Sequence, residues 1–183
     1  WGKAEELGSP YVSVLFVFIA AIYVMNILYA VVLRYTPWWR QLAAGQIALD
    51  LLTSAVLVHF TGSAESGFVF FFLLSPIAAA VVLSRRAALI TATAGTLLFV
   101  TTVLLGYQRW LPVLPGQTNL PWDVAASALG RSLLVNSGAM FAIAALAGYL
   151  ADMLRSAATE VEQQQAHLAD LTALHEDVVR CLT

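Results

Sequence analysis

Between Pro10 and Ala151 only nine charged side chains interrupt the sequence, whereas the 32 residues from Asp152 to Thr183 hold eight. This asymmetry constrains the fold more than any motif does. A soluble domain carries about 25% charged and about 45–50% apolar residues; this chain has 11% and 60%. A water-soluble globule is excluded, and the sequence reads as an all-α membrane protein with a soluble ending. The net charge is −2 and the nine Lys and Arg are dispersed, so no basic face for nucleic acid exists. A single cysteine, Cys181, can form neither an intrachain disulfide nor a metal cluster, and no metal or cofactor is expected in this segment. The first residue is Trp1 and no basic n-region precedes the first apolar run, which reads as an excised fragment of a longer protein.

A helix needs about 20 mainly apolar residues to cross a bilayer. Five stretches fit or nearly fit: 10–33, 42–60, 68–83, 87–107 and 126–150. The third is the shortest, and Ser75-Pro76 inside it should loosen the helix because proline lacks a backbone donor. Arg34 and Arg40 flank the first connection, and Arg85 with Arg86 fill the third, while the alternate connections hold Glu65 or Arg109 with Asp123. Short basic connections face the cytoplasm. The N-terminus before Pro10 is therefore expected on the outer side of the membrane, and five crossings bring Asp152 to the cytoplasm. Tyr35, Trp38 and Trp39 at one side and Tyr107, Trp110 and Trp122 at the other read as interface anchors. The expected organisation is an extracytoplasmic stub at 1–9, a membrane bundle at 10–151 and a cytoplasmic linker helix at 152–183.

No Gly or Pro occurs from Ala151 to Thr183, so the fifth span should run on as one rod. Leu154, Ala157, Val161, Gln164, Leu168, Leu171, His175, Val178 and Leu182 follow the alternating three and four spacing of a heptad seam. A parallel homodimer through Leu154, Val161, Leu168, Leu171 and Val178 is the expected use of that seam. The competing reading, an amphipathic helix lying on the inner leaflet, is disfavoured by six acids against two arginines, which anionic headgroups would repel.

Ionisable and amide side chains inside spans are costly and are functional candidates by default. Asp50 lies about 12 Å from the inner end of its span, Asn26 about 10 Å from the inner end of the first, and Asn136 about 15 Å below the outer end of the fifth. The three can form one buried cluster. Asp50 then serves either as glue, hydrogen-bonded to Asn26, Thr53, Ser54 or Asn136, or as part of a sensing site. Arg131 can snorkel to the outer surface or reach toward Asp50. His59, beside the Gly62–Gly67 turn, is a candidate for titration by external pH. The pairs Thr91/Gly95, Gly138/Ala142 and Ala144/Gly148 are four apart, as in helices that approach closely.

Ala48-Leu49-Asp50-Leu51-Leu52, the turn Thr61-Gly62-Ser63-Ala64-Glu65-Ser66-Gly67, the hairpin Leu83-Ser84-Arg85-Arg86-Ala87 and the ending His175-Glu176-Asp177-Val178-Val179-Arg180 together resemble the membrane sensory region of PilS-type, NtrB-like sensor histidine kinases. The resemblance implies six spans in the parent, a signalling helix leading to a PAS domain, and a kinase core. It implies ATP and Mg²⁺ at that core, a cytoplasmic response regulator as partner, and a pilin transmembrane helix as one possible cue. The family's phosphoacceptor motif, roughly H-E-x-R-N-P, is not matched at His175-Glu176, which lacks the following Asn-Pro and reads as part of the seam. No catalytic residue is expected in this segment. Signal reception is the leading reading; a transporter or channel subunit, or a passive dimerising anchor, are the alternatives. A transporter predicts paired broken helices, and the one proline-interrupted span has no counterpart.

Overall fold

A computed structural model describes residues 10–35, 38–113, 117 and 120–182. Five α-helices follow in order: α1 (Pro10–Tyr35), α2 (Trp39–Phe60), α3 (Phe71–Val82), α4 (Arg85–Tyr107) and α5 (Ala126–Leu182), with no strand among the described residues. The chain is an all-helical, multi-pass membrane protein. The expected N-terminal stub lies outside the described residues.

Helix ends fall where local chemistry puts them, not where hydropathy changes. Expected from Ala87, α4 starts at Arg85 because the Ser84 hydroxyl accepts the Ala87 N–H at 3.1 Å and so satisfies one donor of the first turn. The run from Phe68 opens as a 3₁₀ turn, Gly67–Phe70, whose Phe68 N–H is accepted by the Ser66 hydroxyl at 3.1 Å, before α3 proper begins. Upstream, Gly62 has a φ of 122° and Ser63 one of 53°, the left-handed turn that reverses the chain after α2. By length and hydropathy α2, α4 and the Ala126–Leu168 portion of α5 can each cross a bilayer, while Phe16–Val32 and Gly67–Val82 are shorter apolar helices. Within α3, Pro76 is fully buried and leaves the Phe72 carbonyl without its usual helical donor.

The core is made by α3, α4 and α5 packed on one another, with α2 against α3 and α4. In a bilayer this packing rests on dispersion and close backbone approach, since lipid tails are as apolar as leucine. Phe72 of α3 and Phe99 of α4 meet edge to face with centroids 5.6 Å apart, and both are fully buried together with Val58, Val103 and Met140. Gly95 makes this possible: a Cβ there would stand 3.2 Å from Leu51 Cδ2. Two of the three small-residue pairs pack as their spacing predicts, since Thr91, Gly95, Ala144 and Gly148 are buried. Gly138 and Ala142 are instead exposed on the outside of the bundle, and a Cβ on Gly138 would meet nothing within 4 Å.

Helix α1 is different in kind. It lies along α2, and none of its described side chains is buried; Phe16, Val17, Tyr23 and Ile27 are each at least 60% exposed. Helix α5 is continuous over 57 residues, about 86 Å at 1.5 Å per residue. Its first half is packed in the bundle to Ala151, and every residue from Met153 to Leu168 is exposed, the seam positions Leu154, Val161 and Leu168 among them. Leu171 is exposed as well. The Val178 side chain lies outside the described ones.

Candidate functional site

The standing-off of α1 opens a groove between α1, α2 and α3. It has a volume of about 490 Å³ and apolar walls from Ile19, Ile22 and Tyr23 on α1, Leu57 on α2, and Phe68, Phe71 and Leu74 leading into and along α3. Five polar side chains line it: Asn26, Asp50, Thr53, Ser54 and Ser75. A smaller cavity of about 90 Å³, again bounded by Asn26 and Asp50, continues it toward Tyr29 and Gln46. A concave, largely apolar space with a few convergent polar groups is the usual form of a ligand site.

The polar groups are held by ordinary helix chemistry. Asn26 Nδ2 donates to the Ile22 carbonyl at 3.0 Å, which fixes the amide so that Oδ1 accepts from Gln46 Nε2 across the α1–α2 contact at 3.4 Å. Thr53 Oγ1 and Ser54 Oγ donate to the Asp50 backbone carbonyl at 2.9 and 2.7 Å. Those hydroxyls are therefore spent on main chain. Among the described residues no hydrogen bond or ion pair reaches the Asp50 carboxyl group. Of the four partners considered for it, Thr53 and Ser54 serve its carbonyl, Asn26 serves Gln46 and Ile22, and Asn136 is elsewhere. The groove thus presents a half-buried carboxyl group with acceptor capacity and walls of hydrocarbon.

The single cluster expected from depth along the spans is divided in two. Asp50 and Asn26 share the groove, whereas Asn136 donates through Nδ2 to the Ser132 carbonyl at 2.8 Å and lines a separate cavity of about 370 Å³ with Arg131, Ser132, Glu65 and Ala64. Equal depth does not mean equal azimuth: Asn136 projects from α5 and Asp50 from α2, on different sides of the bundle. Arg131 is exposed and lines that second cavity, apart from Asp50. Ser132 Oγ donates to the Ala64 carbonyl at 2.6 Å and ties α5 to the Gly62–Gly67 turn.

His59 is not open to the exterior. It is 5% exposed because the connection between α4 and α5 folds over it. Its Nε2 lies 2.9 Å from the Pro112 carbonyl oxygen, which can only accept, so Nε2 carries the proton. Nδ1 is buried and meets no hydrogen-bond partner among the described residues; it lies 3.3 Å from where a Gly106 Cβ would stand. The Gln117 amide also reaches the His59 carbonyl at 3.4 Å. His59 therefore works as a peg for the connection between α4 and α5. Hydropathy does not reveal this burial, because it carries no information on where a Pro- and Gly-containing connection will lie.

One residue escaped the sequence reading altogether. Arg155, five residues past the end of the apolar run at Leu150, places Nη2 2.7 Å from the Ala80 carbonyl and 3.1 Å from the Val81 carbonyl, while Nη1 meets Asp152 Oδ1 at 3.3 Å. A few residues earlier Gly148 passes so close to α4 that a Cβ would come 2.7 Å from Arg85 Cγ. The signal available in sequence was only a lone arginine at the boundary of a hydrophobic run, which is commonplace.

No curated protein and no solved structure matches the chain. A family model does, over residues 3–161: the PilS-like transmembrane domain, a six-span membrane family. The match covers the bundle and the root of the exposed rod, including the groove and Arg155. The chain belongs to the PilS-like transmembrane domain family.

Proposed function

We propose that this chain is the membrane-embedded input domain of a two-component sensor histidine kinase. The reading rests on family membership, and the observation that carries it is the pairing of a groove open between α1 and α3, with the Asp50 carboxyl group in it, and a helix that leaves the same bundle unbroken for a further thirty residues. An apolar membrane-embedded partner, such as the transmembrane helix of a pilin, occupies the groove against Asp50 and Asn26. The occupied bundle shifts α5, and the shift travels through the rod to a PAS domain and an ATP- and Mg²⁺-dependent kinase that phosphorylates a response regulator. In this arrangement the basic ends of α1, α2 and α4 face the cytoplasm of a bacterial inner membrane, and two rods pair through Leu154, Val161, Leu168, Leu171 and Val178.

The exposed seam also suits a passive dimerising anchor, and the experiment separates the two. Full-length protein carrying Asp50→Asn is compared with wild type in a transcriptional reporter of kinase output over a range of stimulus. A displaced dose response supports sensing. An unchanged curve, together with full output from a fusion in which an unrelated span replaces everything before Asp152, overturns it.

A further inference from the structure

The last carbonyls of a helix have no partner within it and must find one elsewhere. In α3 three of these carbonyls, those of Ala79, Ala80 and Val81, each meet a donor from outside the helix. The Ala79 carbonyl accepts the N–H groups of Leu83 and Ser84 at 3.0 and 3.1 Å. The Ala80 and Val81 carbonyls, the former on a fully buried residue, are reached by no backbone donor from the turn that follows and are met by the Arg155 guanidinium instead. A cation at this place also complements the negative end of the α3 dipole. Asp152, one turn before Arg155 on α5, holds the other guanidinium nitrogen and sets the direction in which the fork points.

From this geometry we infer that Arg155 is the positioning residue that couples the groove to the rod. The inference rests on the proposed sensing role and names how that site is read out. The groove's α3 wall, Phe71, Leu74, Ser75 and Ala78, runs along the helix and ends at Ala78, two residues before the first of the carbonyls that Arg155 holds. Pro76 falls inside that wall and removes one backbone bond, so α3 bends there more readily than elsewhere along its length. Displacement of the wall by an occupant moves the far end of α3. Arg155 is fastened to that end and is itself part of α5 beyond the bundle, so the root of the rod moves with it. The Gly148–Arg85 contact, where α4 approaches α5 closely, is the fulcrum against which the displacement is turned.

The test uses paired spin labels in the chain reconstituted in lipid nanodiscs, with Cys181→Ser as background. One pair, Val81→Cys with Thr159→Cys, reports on α3 against the rod. A second, Leu28→Cys with Ile77→Cys, reports on the groove. A third, Leu52→Cys with Ile90→Cys, is a bundle control, and all six positions are exposed. Arg155→Ala is expected to abolish the narrow distance peak of the first pair and leave the control pair unchanged, and Arg155→Lys, which keeps the charge but not the fork, to restore it in part. Asp50→Asn is expected to shift the groove and rod pairs together, and the rod pair no longer once Arg155→Ala is added. A narrow rod peak that survives Arg155→Ala, or a control pair that broadens equally, overturns the coupling. A groove pair that moves under Asp50→Asn while the rod pair stays still in the Arg155 protein overturns it as well. A groove pair indifferent to Asp50→Asn, with a rod pair still sensitive to Arg155→Ala, removes the sensing role and leaves the coupling standing.

Discussion

The two flanks of this bundle are built from the same kinds of residue and packed in opposite ways. On the α4–α5 flank, aromatic and small side chains interlock, with Phe99, Val103, Met140 and Ala144 fully buried. On the α1 flank the helix leans on α2 through the Asn26–Gln46 contact and otherwise meets the surroundings. Hydrophobicity cannot distinguish the flanks, because in a bilayer both burial in protein and exposure to lipid satisfy an apolar side chain. What distinguishes them is side-chain volume against backbone approach. The tight flank is filled; the loose one leaves a groove between α1, α2 and α3.

The comparison breaks most visibly under aromatic truncation. Phe99→Ala should destabilise the bundle by about 3–5 kcal/mol, as large-to-small changes in filled cores do, whereas Phe16→Ala on α1 should leave stability within about 0.5 kcal/mol. Reversible unfolding in mixed micelles measures both, and equal losses would show that α1 is not the loose element described. A smaller contrast lies in the glycines. Gly95→Ala should cost about 1–3 kcal/mol because the added methyl crowds Leu51, while Gly138→Ala, with nothing within 4 Å, should be neutral or slightly stabilising through helix propensity. The smallest effect is expected for Asn26→Leu, about 0.6 kcal/mol for one interhelical hydrogen bond in a membrane, read as a slightly widened Leu28–Ile77 label distance with the bundle otherwise intact.

Much of the architecture could be read from residues. The helices, their alternation and the unbroken run after Leu150 follow from apolar length and the absence of Gly and Pro. Helix starts were less legible: hydropathy places the fourth at Ala87, yet Ser84 begins it, because a capping hydroxyl acts through one hydrogen bond and leaves no trace in an average. The site was half legible. Asp50 and Asn26 are brought together as their depths imply, but depth along a span carries no information about which way a side chain faces in the assembled bundle, so the expected cluster included Asn136, which does not line the groove. His59 and Arg155 depended on long-range placement, the first on a connection folding over it and the second on carbonyls 74 and 75 residues away in the chain.

The length of α5 has a mechanical consequence. From Asp152 to Leu182 the arm extends about 46 Å. A tilt of about 5° at its root, too slight to disturb the packing of Met140 or Ala144, sweeps its tip through about 4 Å for a helix of that rise. That distance is comparable to the width of a side chain. Small adjustments in a crowded bilayer are thus enlarged by simple leverage along the arm.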